Sequence, residues 1–167
     1  MTAFVFTDLF GGAVHQIDNL TANSIVTVGG GALSSPSGPA RDTQGSVAVA
    51  DTVAHQIAYA DPGGDWVRFG AKGSGVGQFD RPAATAFLGS GHLLVLDAGN
   101  GRLVRIDDAT GSGWRTYGHR GMPTATNPAV GAFADPRGVA VDSSDRIWIS
   151  DPGAKRVVRI DGIDGSG

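Results

Sequence analysis

The stretch VGAFADPRGVAVDSSDRIWISDPGAKRVVRID (130–161) decides how this chain is read. Its apolar residues fall into short runs, GVAV (138–141), IWIS (147–150) and VVRI (157–160), each bounded by Asp, Ser, Gly or Lys. Runs of this length, rich in Val and Ile and separated by turn formers, read as strands. No window of the chain pairs a helical spacing of apolar residues with helix caps. GSGVGQFDRPAATAFLGSGHLLVLDAGNGRLVRID (73–107) follows the same plan, with Phe–x–x–Pro, a small-residue strand, a strand ending on Asp, and a strand reading VRID.

Working outward, the motif that ends an apolar run on Asp occurs four times, at Asp8, Asp51, Asp97 and Asp151. The intervals between these aspartates are close to a blade-type repeat of about 40–50 residues. Pro36, Pro82 and Pro136 precede the last three of them at one constant distance. SIVTVG, WVRFG and WRTYG supply a further β-prone run stopped by glycine. Each repeat therefore holds four candidate strands, a to d, at the period of a propeller blade. The expected fold is all-β, a β-propeller of four-stranded antiparallel blades. There are about four blades, in segments near 1–29, 36–70, 82–118 and 136–167, forming one domain or propeller fragment. Alignment on the aspartates leaves the first blade without strand a and the last without strand d, so fourteen strands are expected. The chain is then a piece of a larger ring, a ring completed by another copy or partner, or a small ring closed on itself.

Composition agrees with this. Gly fills 27 of 167 positions and charged residues only 17%, which suits short strands joined by tight turns. Zero cysteines exclude disulfides and thiolate metal sites. The net charge of −3 argues against a nucleic-acid face. No apolar run is long enough to span a membrane, and the start MTAFVFTD lacks a secretory signal, so the expectation is no membrane and a cytoplasmic location by default. Alanine- and glycine-rich usage suggests a bacterial chain.

The two quoted stretches resemble the NHL repeat, whose features are the Gly-rich linker, Phe–x–x–Pro, the buried Gly/Val strand and the strand ending on Asp. The resemblance implies the propeller fold, with closure usually at six blades, and leaves the activity open, since NHL-like propellers serve as scaffolds, ligand binders and enzymes.

Asp8, Asp51, Asp97 and Asp151 read as structural turn residues, each accepting N–H bonds from its own turn, with Arg102 and Arg156 paired to the last two. Gln16 and Gln56 take the place of those arginines if the His–Gln pair of LFGGAVHQID (9–18) is aligned with that of TVAHQIAYAD (52–61), the first copy running three residues longer from its aspartate to that pair. That alignment sets His15 and His55 at equivalent places. Without a third histidine in register they do not make a metal site, so no metal and no cofactor are expected. His119, Arg120 and Met122 lie in the longest connection (119–133), on the face of the b–c turns. With His15 and His55 they form a candidate partner- or ligand-binding rim. Arg41 stands on an innermost strand where it could bind an anion. Trp66, Trp114 and Trp148 are expected between blades. These features point first to a non-enzymatic protein-binding or scaffolding module, with a protein partner or self-association through open blade edges. The alternative is a metal-dependent lyase or lactonase using the channel mouth.

Overall fold

In the computed structural model, residues 4–17, 26–29, 33–108, 110–123 and 131–167 are described. Blade 1 contains β1 (Phe4–Asp8), β2 (Ala13–Ile17) and β3 (Val26–Gly29). Blade 2 contains β4 (Pro36–Arg41), β5 (Val47–Asp51), β6 (Gln56–Ala60) and β7 (Val67–Phe69). After the short strands β8 (Ala71–Lys72) and β9 (Gln78–Phe79), blade 3 contains β10 (Pro82–Phe87), β11 (Leu93–Asp97), β12 (Arg102–Ile106) and β13 (Arg115–Tyr117). After β14 (His119–Arg120) and β15 (Ala132–Phe133), blade 4 contains β16 (Gly138–Val141), β17 (Ile147–Asp151) and β18 (Arg156–Ile160). Each blade is an antiparallel meander in chain order, of three, four, four and three strands. The all-β propeller reading stands, with fourteen blade strands among the described residues.

The turns explain the regularity. Every b–c turn has four residues, and the fourth has positive φ: Gly12 (59°), His55 (58°), Gly101 (64°) and Lys155 (54°). Glycine adopts this conformation freely, whereas His55 and Lys155 adopt it at a cost. Asp8 pairs with Ala13, just as Asp51 pairs with Gln56, Asp97 with Arg102 and Asp151 with Arg156. The first turn is therefore no longer than the others. Ala13, not Gln16, is the counterpart of Gln56.

Alternation along the strands makes each blade two-faced. Leu93, Val95 and Val104 pack back onto Ala48, Ala50 and Ile57 of blade 2. Leu94, Leu96 and Leu103 pack forward onto Ile147, Ile149 and Ile160 of blade 4. Val14 of blade 1 meets Val47, Val49 and Ala58 of blade 2, with Leu33 and Trp66 alongside. Three such layers form the core, and each fully buried Leu or Ile in them contributes roughly 1.5–3 kcal/mol. The innermost strands β4, β10 and β16 lie side by side. Gly38 is obligatory there, because a Cβ on it would come within 2.3 Å of the Ala84 Cα.

Two parallel bridges, β8 with β9 and β14 with β15, were not expected from the sequence. Each folds the d–a linker back on itself. Each also lowers a phenylalanine, Phe79 or Phe133, into the layer between blades, where both are fully buried. Trp114 joins that layer beside Phe79, and Trp66 edges the first layer. Trp148 does not follow them. It is 39% exposed on the forward face of blade 4, where its Nε1–H donates to Asp142 at 3.0 Å.

Candidate functional site

The b–c turns and the d–a linkers share one end of the blades, and the repeated aspartates join them. The Asp97 carboxylate accepts the Asp80 N–H at 2.7 Å, the Asn100 side-chain amide at 2.8 Å and the Arg102 Nε–H at 2.8 Å. Asp51 accepts the N–H groups of Ser34 and Ser35, both at 2.9 Å. Asp151 accepts those of Ala134 and Asp135, at 3.2 and 2.9 Å. In all three the backbone donors come from the preceding linker, so these carboxylates fasten the segment that leads into strand a. Asp8 instead, among the described residues, bonds its own turn, through the N–H groups of Phe10 and Gly11. Burial pushes the Asp97 carboxyl up from its ordinary value, outweighing the bonds to Asn100, Asp80 and Arg102 that pull it down.

The residues opposite the aspartates complete the fastening through linker carbonyls. Arg102 donates to Ser74 at 2.6 Å and to Gln78 at 2.9 Å. Gln56 donates to Gly70 at 3.2 Å. Arg156 donates to Ala132 and lies 3.5 Å from Asp151.

On this scaffold one cluster breaks the repeat. His55 Nδ1 accepts the backbone N–H of Arg81 at 3.1 Å and lies 3.4 Å from the Asp80 carboxylate. Arg81 Nε is 3.7 Å from the same carboxylate. Arg81 has φ of +48°, although it precedes a proline, a position that normally favours extended backbone. Its counterparts Ser35 and Asp135 show no such strain. Two strained residues, His55 and Arg81, thus touch at one junction, and strain held by surrounding structure concentrates at functional sites. Because Nδ1 accepts the Arg81 N–H, the neutral imidazole carries its proton on Nε2. Next to this cluster, the Gly99 N–H donates to the Asp80 carbonyl at 2.7 Å, and Arg120 donates to the Gly99 carbonyl at 3.1 Å. An acid, a histidine and two arginines therefore run from the b–c turn of blade 2 to the linker entering blade 4.

The other sequence candidates are spread out. His119 and Arg120 form β14 and are exposed, and Met122 is 66% exposed beside them. Residues 124–130 of that connection lie outside the described residues. His15 does not join His55. It stands in mid-strand on the back face of blade 1, its Nδ1 3.1 Å from the Thr27 hydroxyl and its ring 5.2 Å from that of Phe6. The shared His–Gln pair is a coincidence of composition, because the strand register puts Gly12 where blade 2 has His55. Arg41 ends β4 at the opposite end of the blades. It helps line a cavity of about 340 Å³ between the a–b turns of blades 2, 3 and 4, and another of about 330 Å³ facing Trp66. Asp80 and Arg81 escaped the sequence reading. The departure of DR before Pro82 from SS before Pro36 was the available signal.

Comparison with known proteins bears on this geometry. The model of the NHL repeat matches residues 133–160, which are the linker end and all three strands of blade 4.

Residues 133–160 are an NHL repeat.

Among solved structures, the chain with its NHL blade is similar to a streptogramin B lyase, at 15% identity and a TM-score of 0.68, covering 93% of this chain and 47% of the lyase. It is also similar to virginiamycin B lyase from Staphylococcus aureus, at 14% identity and a TM-score of 0.67, covering 95% and 48%. A protein described as a gluconolactonase matches at 18% identity and a TM-score of 0.62, covering 92% and 54%. The chain thus spans about half the length of these structures. A search of the curated proteins found no match. These likenesses establish the β-propeller fold. They also correct the expectation of a non-enzymatic scaffolding module, since the named neighbours are enzymes. That expectation rested on the repeat symmetry, the lack of an asymmetric catalytic cluster and the incomplete strand count, and the His55–Asp80–Arg81 junction departs from the symmetry. Among the described residues no helix is long and apolar enough to cross a membrane.

Proposed function

We propose that this chain forms part of a catalytic β-propeller of the lyase or lactonase kind. Its working site is the channel mouth on the linker face, and residues 1–167 form a single run of blades. The observation that carries the reading is the His55–Asp80–Arg81 junction, where, among the described residues of that face, two strained and chemically competent residues meet and repeat symmetry gives way. The solved enzymes that share the fold support it.

A divalent ion does not fit what is present. Among the described residues no three His or Asp side chains gather closely enough to hold one, and His55 with Asp80 supplies two at most. The roles fall to the side chains themselves. His55, with its proton on Nε2, is a hydrogen-bond donor suited to the oxygen that gains charge as an ester or lactone C–O bond opens. Arg81 and Arg120 provide positive charge for an oxyanion or carboxylate. Asp80 holds the Arg81 guanidinium by charge and borders the imidazole.

The test is incubation of the purified chain with gluconolactone and with the streptogramin quinupristin, read by mass spectrometry. Hydrolysis adds one water, whereas ring-opening elimination leaves the mass unchanged. His55→Gly keeps the backbone conformation that Gly12 and Gly101 hold in the neighbouring turns, so it should remain folded and lose about 10²–10⁴-fold in rate. Turnover unaffected by His55→Gly would refute the assignment of the junction, and no turnover of either ester class would refute the function.

A further inference from the structure

The same register positions that are buried between blades lie open at the two ends of the array. Facing forward, the positions held by Ala48, Ala50 and Ile57 in blade 2 and by Leu94, Leu96 and Leu103 in blade 3 are fully buried. In blade 4 those positions are Trp148, Ser150 and Val157, with Trp148 39% and Val157 65% exposed. They border an open groove of about 260 Å³ with Gly138, Val139 and Ala140. Facing backward, the positions of Val47 and Val49, Leu93 and Val95, and Ile147 and Ile149 are buried, whereas in blade 1 they are Phe4 and Phe6, 44% and 37% exposed. Among the described residues both ends are thus unpaired inter-blade faces, each a continuation of the three layers inside.

We propose that the occupant of these faces is a second copy of this chain. The forward face of blade 4 in each copy stacks on the backward face of blade 1 in the other, about a two-fold axis along the channel. Two observations select this partner. The faces are successive members of one stacking series, so blade 1 presents to blade 4 the surface that blade 4 presents to blade 3. Their sizes are complementary. Ala140, Ser150 and Val157 leave the groove that two phenylalanines fill, as small Ala48 and Ala50 meet larger Leu93 and Val95 in the second layer. A head-to-tail contact that closes after two copies uses both faces twice and leaves no apolar end.

Light scattering on the 167-residue chain tests this, with Trp148→Glu and Phe6→Glu as variants. Both positions are already part-exposed, so each variant should keep the circular dichroism of the parent. The parent should weigh twice 17.0 kDa, and each variant alone should be a monomer. An equimolar mixture of the two should recover pairs, because one unmutated forward face then meets one unmutated backward face. A monomeric parent overturns the proposal. So does a ladder of open oligomers, or a Phe6→Glu variant that still pairs, which would mean that two forward faces meet each other.

Discussion

Replacing Asp97 by Ala removes the acceptor that holds the linker of blade 3, and the structure sets the size of the effect. Three donors point at that fully buried carboxylate: the Asp80 N–H, the Asn100 amide and the Arg102 Nε–H, the last at 2.8 Å with its side chain only 13% exposed. Breaking a buried ion pair by removing one partner costs about 3–5 kcal/mol. Two terms temper it here. Arg102 keeps its bonds to the Ser74 and Gln78 carbonyls, and the upward push on the Asp97 carboxyl means that loss of the charge relieves some desolvation. A loss of about 3 kcal/mol remains, or roughly 6–12 °C in Tm for a domain of this size. Asp8→Ala is the matched control, since among the described residues the exposed Asp8 bonds its own turn alone, and the change should cost about 1 kcal/mol or less. Thermal unfolding followed by circular dichroism at one fixed protein concentration reads both. Equal losses at Asp8 and Asp97 would refute the view that the buried aspartates act through the linker.

The linker crossing gives a second comparison. A Cβ at Gly118 (φ +94°) would lie 2.6 Å from Phe133 Cε2, whereas at Gly111 (φ +81°) it would meet open space. Gly111→Ala should cost about 1–2 kcal/mol from backbone strain alone, and Gly118→Ala about 1–3 kcal/mol more for overpacking, compared by urea unfolding. Acid stability provides a third. The Trp148 indole N–H, followed by backbone N–H groups and Arg146, holds the Asp142 carboxyl well below its ordinary value of 3.8. A depressed carboxylate contributes stability above its unfolded-state pKa and loses it as pH falls through the folded one, so Asp142→Asn should flatten the loss of stability below about pH 4. Asp97, shifted upward, acts in the opposite sense: its ionised form is penalised above the folded pKa, and that penalty is relieved as pH falls. Asp97→Asn should therefore steepen the acid loss in the same titration.

The blade plan was legible because strands of period two and turns of fixed length leave a rhythm in the chain: Pro, then Asp at one constant distance, with Val and Ile between. Turns that bond themselves through a short carboxylate also mark the sequence, as Asp42 and Asp142 do on the a–b side. What escaped is long-range. The linker donors to Asp51, Asp97 and Asp151 lie two strands and a turn upstream, and no local pattern announces them. The parallel bridges involve two residues per strand, too few to show periodicity. His15 was set beside His55 by a shared His–Gln pair, where counting four residues from each aspartate would have separated them. Trp148 was expected between blades, with Trp66 and Trp114, as a large inter-blade contact. It is exposed because blade 4 has no blade stacked on its forward face in this chain. The His55–Asp80–Arg81 junction needed the fold, since His55 stands in the b–c turn of blade 2 and Asp80 and Arg81 in the linker that follows that blade, and they meet only when that linker crosses the turn.

The central claim is that each blade faces its two neighbours with alternate residues of the same strands. A methyl NOESY spectrum of the folded chain tests it most directly. Methyls of Leu94, Leu96 and Leu103 should show contacts to Ile147, Ile149 and Ile160, while those of Leu93, Val95 and Val104 should show contacts to Ala48, Ala50 and Ile57. If both sets met the same partner strands, or if blade 4 methyls met those of blade 2, the sheets would be stacked in another way and the account would be wrong.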